Sequence, residues 1–229
     1  MAAEHYVTAA SVQNERTMGR LWIDHAIYAV GDLDSAGEEI YEREGLASVP
    51  GGRHEGWGTA NRIVPFGETY LELIAVVDAA EAEESHFGRA VLKGQAEDTP
   101  LVGWVVATDD IDAVARRLDL EVERKSRSRP DGSTLSWRLA GMETAMESGV
   151  LPFIVQWEGP AEHHPGAAET EHDADPEGIA WIEVTTDDEE RLRDWLGEDF
   201  DDANLRVSEG EPGLSAVAIA TAGGEIVFH

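Results

Sequence analysis

Residues 23–34 of the 229-residue chain read Ile-Asp-His-Ala-Ile-Tyr-Ala-Val-Gly-Asp-Leu-Asp, and this stretch decides the fold. Its first half is an apolar strand pattern that carries one histidine, His25. Its second half starts a helix: Asp32 is placed as the N-cap, and apolar residues then recur at helical spacing as far as Tyr41. A strand that runs into a capped helix predicts the start of a βα unit.

The residues after this helix complete a larger unit. A glycine-rich passage at 50–61 leads into apolar strand patterns at 62–66 and 69–77, with Gly67 and Glu68 as a tight turn between them. The segment 21–78 therefore predicts the element order β-α-β-β-β.

The same pattern then restarts. Residues 101–108 read as a strand, and Asp110 opens another helix in the way that Asp32 opens the first. Strand patterns follow at 121–127, 134–139 and 152–157. The sequence thus predicts an internal repeat of roughly 80 residues.

This reading divides the chain into six segments. They are an N-terminal arm (1–20), a first βαβββ unit (21–78), a connecting helix (79–100), a second βαβββ unit (101–158), an acidic loop (159–177) and a C-terminal partial βαβββ-like unit (178–229). The acidic loop shows no periodicity, and we expect no rigid scaffold for its His163 and His164. The predicted fold class is α+β.

The composition excludes several classes of function. The chain has 47 acidic and 17 basic residues, a formal net charge of −30, and only two lysines, Lys93 and Lys125. A surface of this charge repels phosphate backbones and anionic membranes, so we expect neither nucleic-acid nor membrane partners. Acidic residues spread over every segment, with arginine favoured over lysine, are typical of a halophilic protein adapted to a salt-rich cytoplasm.

The cysteine content and the hydropathy of the chain exclude further kinds of site and of segment. The absence of cysteine excludes disulfides, thiolate metal sites and cysteine nucleophiles. No apolar run of about 18 residues or signal-peptide pattern is present. We therefore expect a cytoplasmic protein, and a homodimer is compatible with the sequence.

The element order and several short sequence motifs resemble those of the vicinal oxygen chelate superfamily, and in particular of its glyoxalase-like domain branch. The motifs are Ile23-Asp24-His25, Asp32-Leu33-Asp34, Gly58-Thr59-Ala60-Asn61, Tyr70-Leu71-Glu72-Leu73, Arg129-Pro130-Asp131-Gly132 with Trp137-Arg138, and Leu151-Pro152-Phe153-Ile154 with Trp157 and His164-Pro165. The resemblance covers about residues 21–165. It implies two βαβββ units side by side whose sheets curl into a cup, with the helices on the outer face.

The resemblance also implies a site. Enzymes of the superfamily hold a divalent metal in the cup and chelate vicinal oxygens of a substrate there, in lyase, isomerase or dioxygenase-type chemistry. Strand alternation places His25 on one face with Ile23 and Ile27, and Glu72 on one face with Tyr70 and Ile74. His25 and Glu72 are thus the expected metal ligands, for Zn, Mn, Fe or Ni. The alternative is a hydrogen-bonded core histidine and a solvated glutamate.

The second unit offers fewer donors. The two helix starts, Asp32-Leu33-Asp34 and Asp110-Ile111-Asp112, can be aligned. In this alignment Gly103 is equivalent to His25, and Gln156 is near the position equivalent to Glu72. Gln156 or His54 is then expected to assist at the site, with Glu72 and Gln156 as the catalytic pair. A metal-free protein that sequesters a small molecule in the same cup, and a structural protein whose cup is filled by side chains, remain alternatives.

Five further residues are expected to bind the substrate. His54 lies in a glycine-rich loop that can approach the cup, and Asn61 stands at the entry to a strand. Arg127 and Arg129 can bind a carboxylate or phosphate bidentately. Trp137 lies in an apolar strand. Each has a plainer alternative, which is a turn residue for His54 and Asn61, a surface ion pair for the arginines and a core position for Trp137.

Overall fold

The computed structural model describes residues 19–97, 99–129, 132–198, 200 and 202–229. The predicted arm lies almost wholly outside these residues, as does the Pro130-Asp131 turn. The first unit consists of β1 (Leu21–Ala29), α1 (Leu33–Glu44), β2 (Val49–His54), β3 (Thr59–Pro65) and β4 (Tyr70–Val76). Asp32 caps α1 as predicted, because its carboxylate accepts a hydrogen bond from the Ser35 amide at 2.9 Å.

Two helices, α2 (Ala79–Glu83) and α3 (His86–Glu97), connect the first unit to the second. The second unit consists of β5 (Leu101–Thr108), α4 (Ile111–Leu118), β6 (Val122–Ser128), β7 (Thr134–Ala140), α5 (Met142–Ser148) and β8 (Phe153–Glu158). Asp110 caps α4 by accepting from the Ala113 amide at 3.0 Å. The extra helix α5, between β7 and β8, is absent from the first unit.

The two units form one eight-stranded sheet in the order β2-β3-β4-β1-β5-β8-β7-β6. Strand β1 is parallel to β4 and antiparallel to β5, and β5 is parallel to β8. The sheet curls until its edge strands approach each other, and Arg127 on β6 donates to the Gly51 carbonyl on β2 at 2.7 Å. The α+β class and the cup of βαβββ units are thus confirmed, although the cup is nearly closed.

The two faces of the curled sheet have different partners. Leu71 and Leu73 on the outer face join the core formed with α1, α4 and the C-terminal unit. Ile27 and Ile74 on the inner face join a second cluster, to which Phe87 of α3 and residues of α5 also belong. Alternation along β4 therefore leaves Glu72 facing the interior, as predicted.

The C-terminal unit follows the predicted order along the chain but not the strand order of the repeat. It consists of β9 (Pro176–Thr185), α6 (Glu189–Leu196), β10 (Leu205–Ser208), β11 (Gly213–Thr221) and β12 (Gly224–Phe228). Its sheet has the order β10-β9-β11-β12, whereas in the repeat the first strand pairs with the last. It packs on the outer face of the large sheet, where Trp195 Nε1 donates to the Pro152 carbonyl at 2.8 Å.

Residues 159–167, here called the strap, lie across one end of the curled sheet. They form two 3-10 turns, Ala161–His163 and Pro165–Ala167. The Gly67 amide donates to the Gly166 carbonyl at 2.8 Å, and a Cβ on Gly166 would lie 2.6 Å from the Thr69 carbonyl oxygen. The expectation that this segment has no rigid scaffold is therefore wrong, because a glycine lets the strap lie directly on the β3–β4 turn.

Among the described residues, none of the helices has the length and apolar character required to cross a membrane.

Candidate functional site

A β-bulge in β1 presents two consecutive side chains to the interior. Ile23 pairs with Val106 and His25 with Val105, so Asp24 is the extra residue. Strict alternation would place Asp24 on the face opposite His25, but a bulge re-aims the side chain. Its Oδ2 lies 2.6 Å from His25 Nδ1, and its Oδ1 accepts from Trp157 Nε1 at 3.0 Å.

Asp24 also connects the strap to β1, because its Oδ1 lies 3.0 Å from His164 Nε2. Burial by itself would raise the pKa of Asp24, which is 1% exposed, but the hydrogen bonds with His164 and His25 hold that pKa well below its usual range. The carboxylate is therefore ionised at neutral pH and can only accept hydrogen bonds. His25 Nδ1 must then carry a proton.

Glu72 lies on the other side of His25. Its Oε2 is 3.8 Å from His25 Nε2, and its Oε1 is 3.8 Å from His54 Nε2. Asn61 Nδ2 donates to Oε1 at 2.5 Å. All four side chains are buried. Two imidazole nitrogens thus face one carboxylate whose orientation is fixed by an amide.

His54 is held neutral at this site. Burial lowers its pKa to about 4, the nearby positive charge of Arg127 acts in the same direction, and Glu72 opposes both. Its Nδ1 lies 3.1 Å from Thr59 Oγ1. At neutral pH His54 therefore carries a single ring proton, and its other nitrogen has a lone pair for hydrogen bonding or coordination.

These groups surround a small cavity of about 30 Å³, here called the interior cavity. It is lined by His25, His54, Trp57, Asn61, Tyr70, Glu72, Phe87, Arg127, Trp137, Phe153, Val155, Trp157 and Pro165. The volume is enough for a water molecule or an ion, but not for a metabolite.

Most of the predicted site residues meet at this cavity. The structure brings together the metal candidates His25 and Glu72 and four of the predicted substrate-binding residues, which are His54, Asn61, Arg127 and Trp137. Arg129 is not among them, because its guanidinium donates to the His163 carbonyl of the strap.

Gln156 also lies elsewhere, and its predicted assisting role is corrected. Its Oε1 accepts from the Ile111 amide at 3.1 Å, and its Nε2 donates to the Asp109 carbonyl at 2.9 Å. Both contacts are at the N-terminus of α4, on the outer face of the sheet. Gln156 therefore satisfies backbone groups that a helix start leaves unpaired.

Strand register shows which residue of the second unit corresponds to Glu72. Ile27 pairs with Glu72 across β1 and β4, and Val105 pairs with Phe153 across β5 and β8. Phe153, rather than Gln156, thus has the position of Glu72. The first unit alone supplies polar donors at these paired positions, because the second has Gly103 and Phe153 there.

His25 and Glu72 fit one divalent cation. A distance of 3.8 Å between Nε2 and Oε2 allows both atoms to lie about 2.0–2.2 Å from a shared ion. A ligating histidine usually donates its other N–H to a carboxylate, and Asp24 has that relation to His25. His25, His54 and Glu72 do not, however, present three donor atoms within 4.8 Å of one another.

A second set of metal-type side chains lies on the surface. In the described part of the chain, His86, Glu143 and Glu147 are the one set of three whose donor atoms lie within 4.8 Å of one another. The set joins the start of α3 to α5, and its side chains are 38%, 68% and 67% exposed. It is a candidate His/Glu metal site, and none of its three residues lines the interior cavity.

A larger cavity of about 800 Å³ lies outside the strap, and we call it the mouth cavity. Apolar side chains on its wall include Trp22, Ile23, Leu135, Trp157, Pro160 and Ile179. Trp157 lines both cavities, so the mouth cavity and the interior cavity are neighbours separated by this indole and the strap.

Sequence reasoning missed Asp24, Tyr70 and His164. Tyr70 stacks on His25 with ring centroids 4.2 Å apart, and burial together with Asp24 and Glu72 raises its pKa well above the ordinary value, so it remains protonated. A tyrosine two residues before a glutamate in an apolar strand was a usable signal, because alternation puts both on one face. Asp24 and His164 carried none, because a bulge and a contact across 140 residues leave no local pattern.

Comparison with known proteins agrees with this architecture. No match was found among the curated proteins. A hypothetical protein of Staphylococcus aureus has a similar fold, with a TM-score of 0.66 and 17% identity over 91% of this chain and 99% of its own.

Two methylmalonyl-CoA epimerases are more distant structural matches. That of Mycobacterium tuberculosis has a TM-score of 0.42 and 19% identity, covering 60% of this chain and 87% of its own. That of Streptomyces coelicolor, in complex with 2-nitronate-propionyl-CoA, has a TM-score of 0.42 and 22% identity, covering 60% and 97%.

A sequence model described as a glyoxalase-like domain matches residues 23–200, which span both repeats, the strap and the start of the C-terminal unit. The predicted resemblance to a glyoxalase-like domain is thereby confirmed, and the chain belongs to the glyoxalase-like domain family.

Proposed function

We propose that this protein is a metal-assisted enzyme in which His25 Nε2 and Glu72 Oε2 hold a divalent cation, and which acts on a small oxygenated molecule. The observation that carries the proposal is the 3.8 Å distance between these two buried atoms, on neighbouring strands of the curled sheet. Imidazole and carboxylate donors suit Zn, Mn, Fe or Ni.

The charges around the interior cavity support a cation. Glu72 is a buried carboxylate on the wall of this cavity, and the buried carboxylate of Asp24 lies behind His25. Arg127 is the buried guanidinium on the same wall. A buried charge without a partner is costly, so the negative charge of Glu72 favours a cation beside it. Neutral His54 contributes no positive charge that would oppose it.

The roles of the individual residues follow from their positions. His25 and Glu72 hold the ion, which when bound supplies Lewis-acid stabilisation of an oxygen anion. Asn61 fixes the Glu72 carboxylate, and His54 lies within reach of the same carboxylate as a neutral proton acceptor. Arg127 can orient a carboxylate or carbonyl oxygen of the substrate.

Access of a substrate to the interior cavity requires the strap to move. The interior cavity is too small for a metabolite, whereas the mouth cavity has the usual volume of a ligand pocket. We propose that the body of the substrate occupies the mouth cavity and that its oxygens reach the ion when the strap and Trp157 move aside.

The cavity volumes also favour a second candidate, a metal-free binding protein. The mouth cavity is largely apolar and could sequester a small molecule without any contact to His25. This alternative predicts stabilisation by a ligand in the presence of a chelator.

Calorimetric titration of chelator-treated, desalted protein with Zn²⁺, Mn²⁺, Fe²⁺ and Ni²⁺ tests the proposal. We expect one interior site, lost in His25→Ala and Glu72→Gln but retained in His86→Ala, which removes the surface set. Binding that disappears in His86→Ala and persists in His25→Ala would place the metal on the surface and refute the proposal.

A further inference from the structure

Asp24 accepts hydrogen bonds from three different parts of the chain. Its Oδ2 lies 2.6 Å from Nδ1 of its neighbour His25, and its Oδ1 accepts from Trp157 Nε1 at the end of β8 and lies 3.0 Å from His164 Nε2 in the strap. Its side chain is 1% exposed, and the bulge in β1 turns it inward. A carboxylate that is almost completely buried is costly unless it is hydrogen-bonded, and both oxygens of Asp24 have hydrogen-bond partners.

We propose that Asp24 is a positioning residue that keeps the proton of His25 on Nδ1 and ties the strap to the site. This inference rests on the proposed function, because the purpose of the fixed proton is to leave the Nε2 lone pair free toward Glu72. Asp24 acts through His25 and the strap and is not itself a ligand of the cation.

The tautomer follows from the donor and acceptor inventory. Asp24 Oδ1 is already the acceptor for the N–H groups of Trp157 and His164. Oδ2 is the remaining acceptor of the same carboxylate, so the 2.6 Å contact there places a proton on His25 Nδ1. In the neutral ring Nε2 is then unprotonated, and it is the nitrogen that lies 3.8 Å from Glu72 Oε2. The stacked ring of Tyr70 holds the imidazole plane in this orientation.

The link to the strap uses the other carboxylate oxygen. His164 lies between the two 3-10 turns of the strap, and its Nδ1 accepts from the Gly166 amide at 3.1 Å. Its Nε2 must therefore carry the proton that it shares with Asp24. One carboxylate thus couples the ring orientation of His25 to the closed position of the strap.

The substitution Asp24→Asn tests this arrangement because it keeps the shape and replaces one acceptor with a donor. If the amide oxygen still accepts from Trp157 and His164, its NH₂ group faces His25 Nδ1. His25 must then accept at Nδ1 and carry its proton on Nε2, pointing at Glu72. We expect this exchange of tautomers to block the ligand position.

The readouts are ¹⁵N NMR of the histidine rings in metal-free protein, amide hydrogen exchange over 159–167, and Mn²⁺ or Zn²⁺ affinity. Wild type should show His25 protonated at Nδ1. Asp24→Asn should shift the proton toward Nε2, weaken metal binding by about 10–100-fold, and increase exchange in the strap. His164→Gln should increase strap exchange while leaving the His25 tautomer unchanged. The control Asp112→Asn, which breaks an exposed pair with Arg138, should change none of these.

Three results would overturn the inference. They are a wild-type His25 protonated on Nε2 alone, an Asp24→Asn variant with the wild-type tautomer, and strap exchange unaffected by His164→Gln. The wild-type spectrum and His164→Gln decide the matter even if Asp24→Asn does not fold. Because the tautomer is read without metal, its failure is distinguishable from failure of the protein to bind a cation.

Discussion

Gly103 has, in the second unit, the position that His25 has in the first. The pairs His25–Val105 and Ile27–Gly103 are related by the two-fold arrangement of β1 and β5. A Cβ on Gly103 would lie 3.1 Å from Met146 Cε, so α5, which has no counterpart in the first unit, fills the space on this side. The candidate metal ligands are thus one-sided: His25 and Glu72 lie on the first unit, and the second has Gly103 and Phe153 at the equivalent positions.

Replacing Gly166 with alanine should loosen the strap. The added Cβ would meet backbone oxygens of Thr69 and Gly67 at 2.6 and 2.7 Å, and backbone cannot give way as a side chain can. We expect a loss of about 1–3 kcal/mol in unfolding free energy and faster hydrogen exchange over 159–167. Gly31→Ala, which meets nothing within 4 Å, is the control. Unchanged exchange in Gly166→Ala would show that the strap does not lie on the β3–β4 turn.

Acid should destabilise the protein in a window set by His54. Its pKa is about 4 when folded and about 6.5 when unfolded, so between these values the unfolded chain binds more protons and stability falls as the pH decreases. The full effect is about 3 kcal/mol. Urea unfolding of wild type and His54→Gln at pH 7, 5.5 and 4.5 measures it, and the variant should show the weaker pH dependence. Equal slopes would contradict burial of a neutral His54.

Asp24 affects the stability of the protein at lower pH than His54 does. Its folded pKa is depressed, so its contribution is complete above the unfolded value near 3.9 and is lost as the pH falls below it. Measurements above pH 4.5 therefore separate His54 from Asp24.

Gln156→Ala should affect stability but not the site. The variant removes two hydrogen bonds at the start of α4, to Ile111 and Asp109, at a cost of about 1–3 kcal/mol. We expect a lower melting temperature and unchanged divalent-metal affinity. A tenfold loss of affinity would mean that Gln156 reaches the interior and that the outer-face placement is wrong.

Salt should stabilise the protein. A formal net charge of −30 on 229 residues repels itself, and salt screens that repulsion. The melting midpoint should rise between 0.1 and 3 M KCl, monitored by circular dichroism. A midpoint that falls over this range would count against adaptation to a salt-rich interior.

The repeat was predictable because its signals are local. Asp32 and Asp110 each cap a helix directly after an apolar strand, and the match between them gave the duplication and the curled sheet. Helix α5 was not predicted, because it starts at Gly141 without a side-chain cap. The strand order of the C-terminal unit is likewise a matter of long-range pairing, which local pattern does not encode.

The site was predictable in part for the same reason. His25, Glu72, His54 and Asn61 stand in or next to strands whose alternation assigns a face. Asp24 was missed because a bulge breaks the alternation, and Gln156 was misplaced because its register across β5 and β8 could not be counted from sequence. The contact of His164 with Asp24 depends on the fold alone.

The most direct test of the central claim is anomalous diffraction from crystals grown with Mn²⁺ or Zn²⁺. We predict a peak about 2.0–2.2 Å from both His25 Nε2 and a Glu72 oxygen, in the interior cavity behind the strap. A metal bound only at His86, Glu143 and Glu147, with no peak between His25 and Glu72, would contradict it.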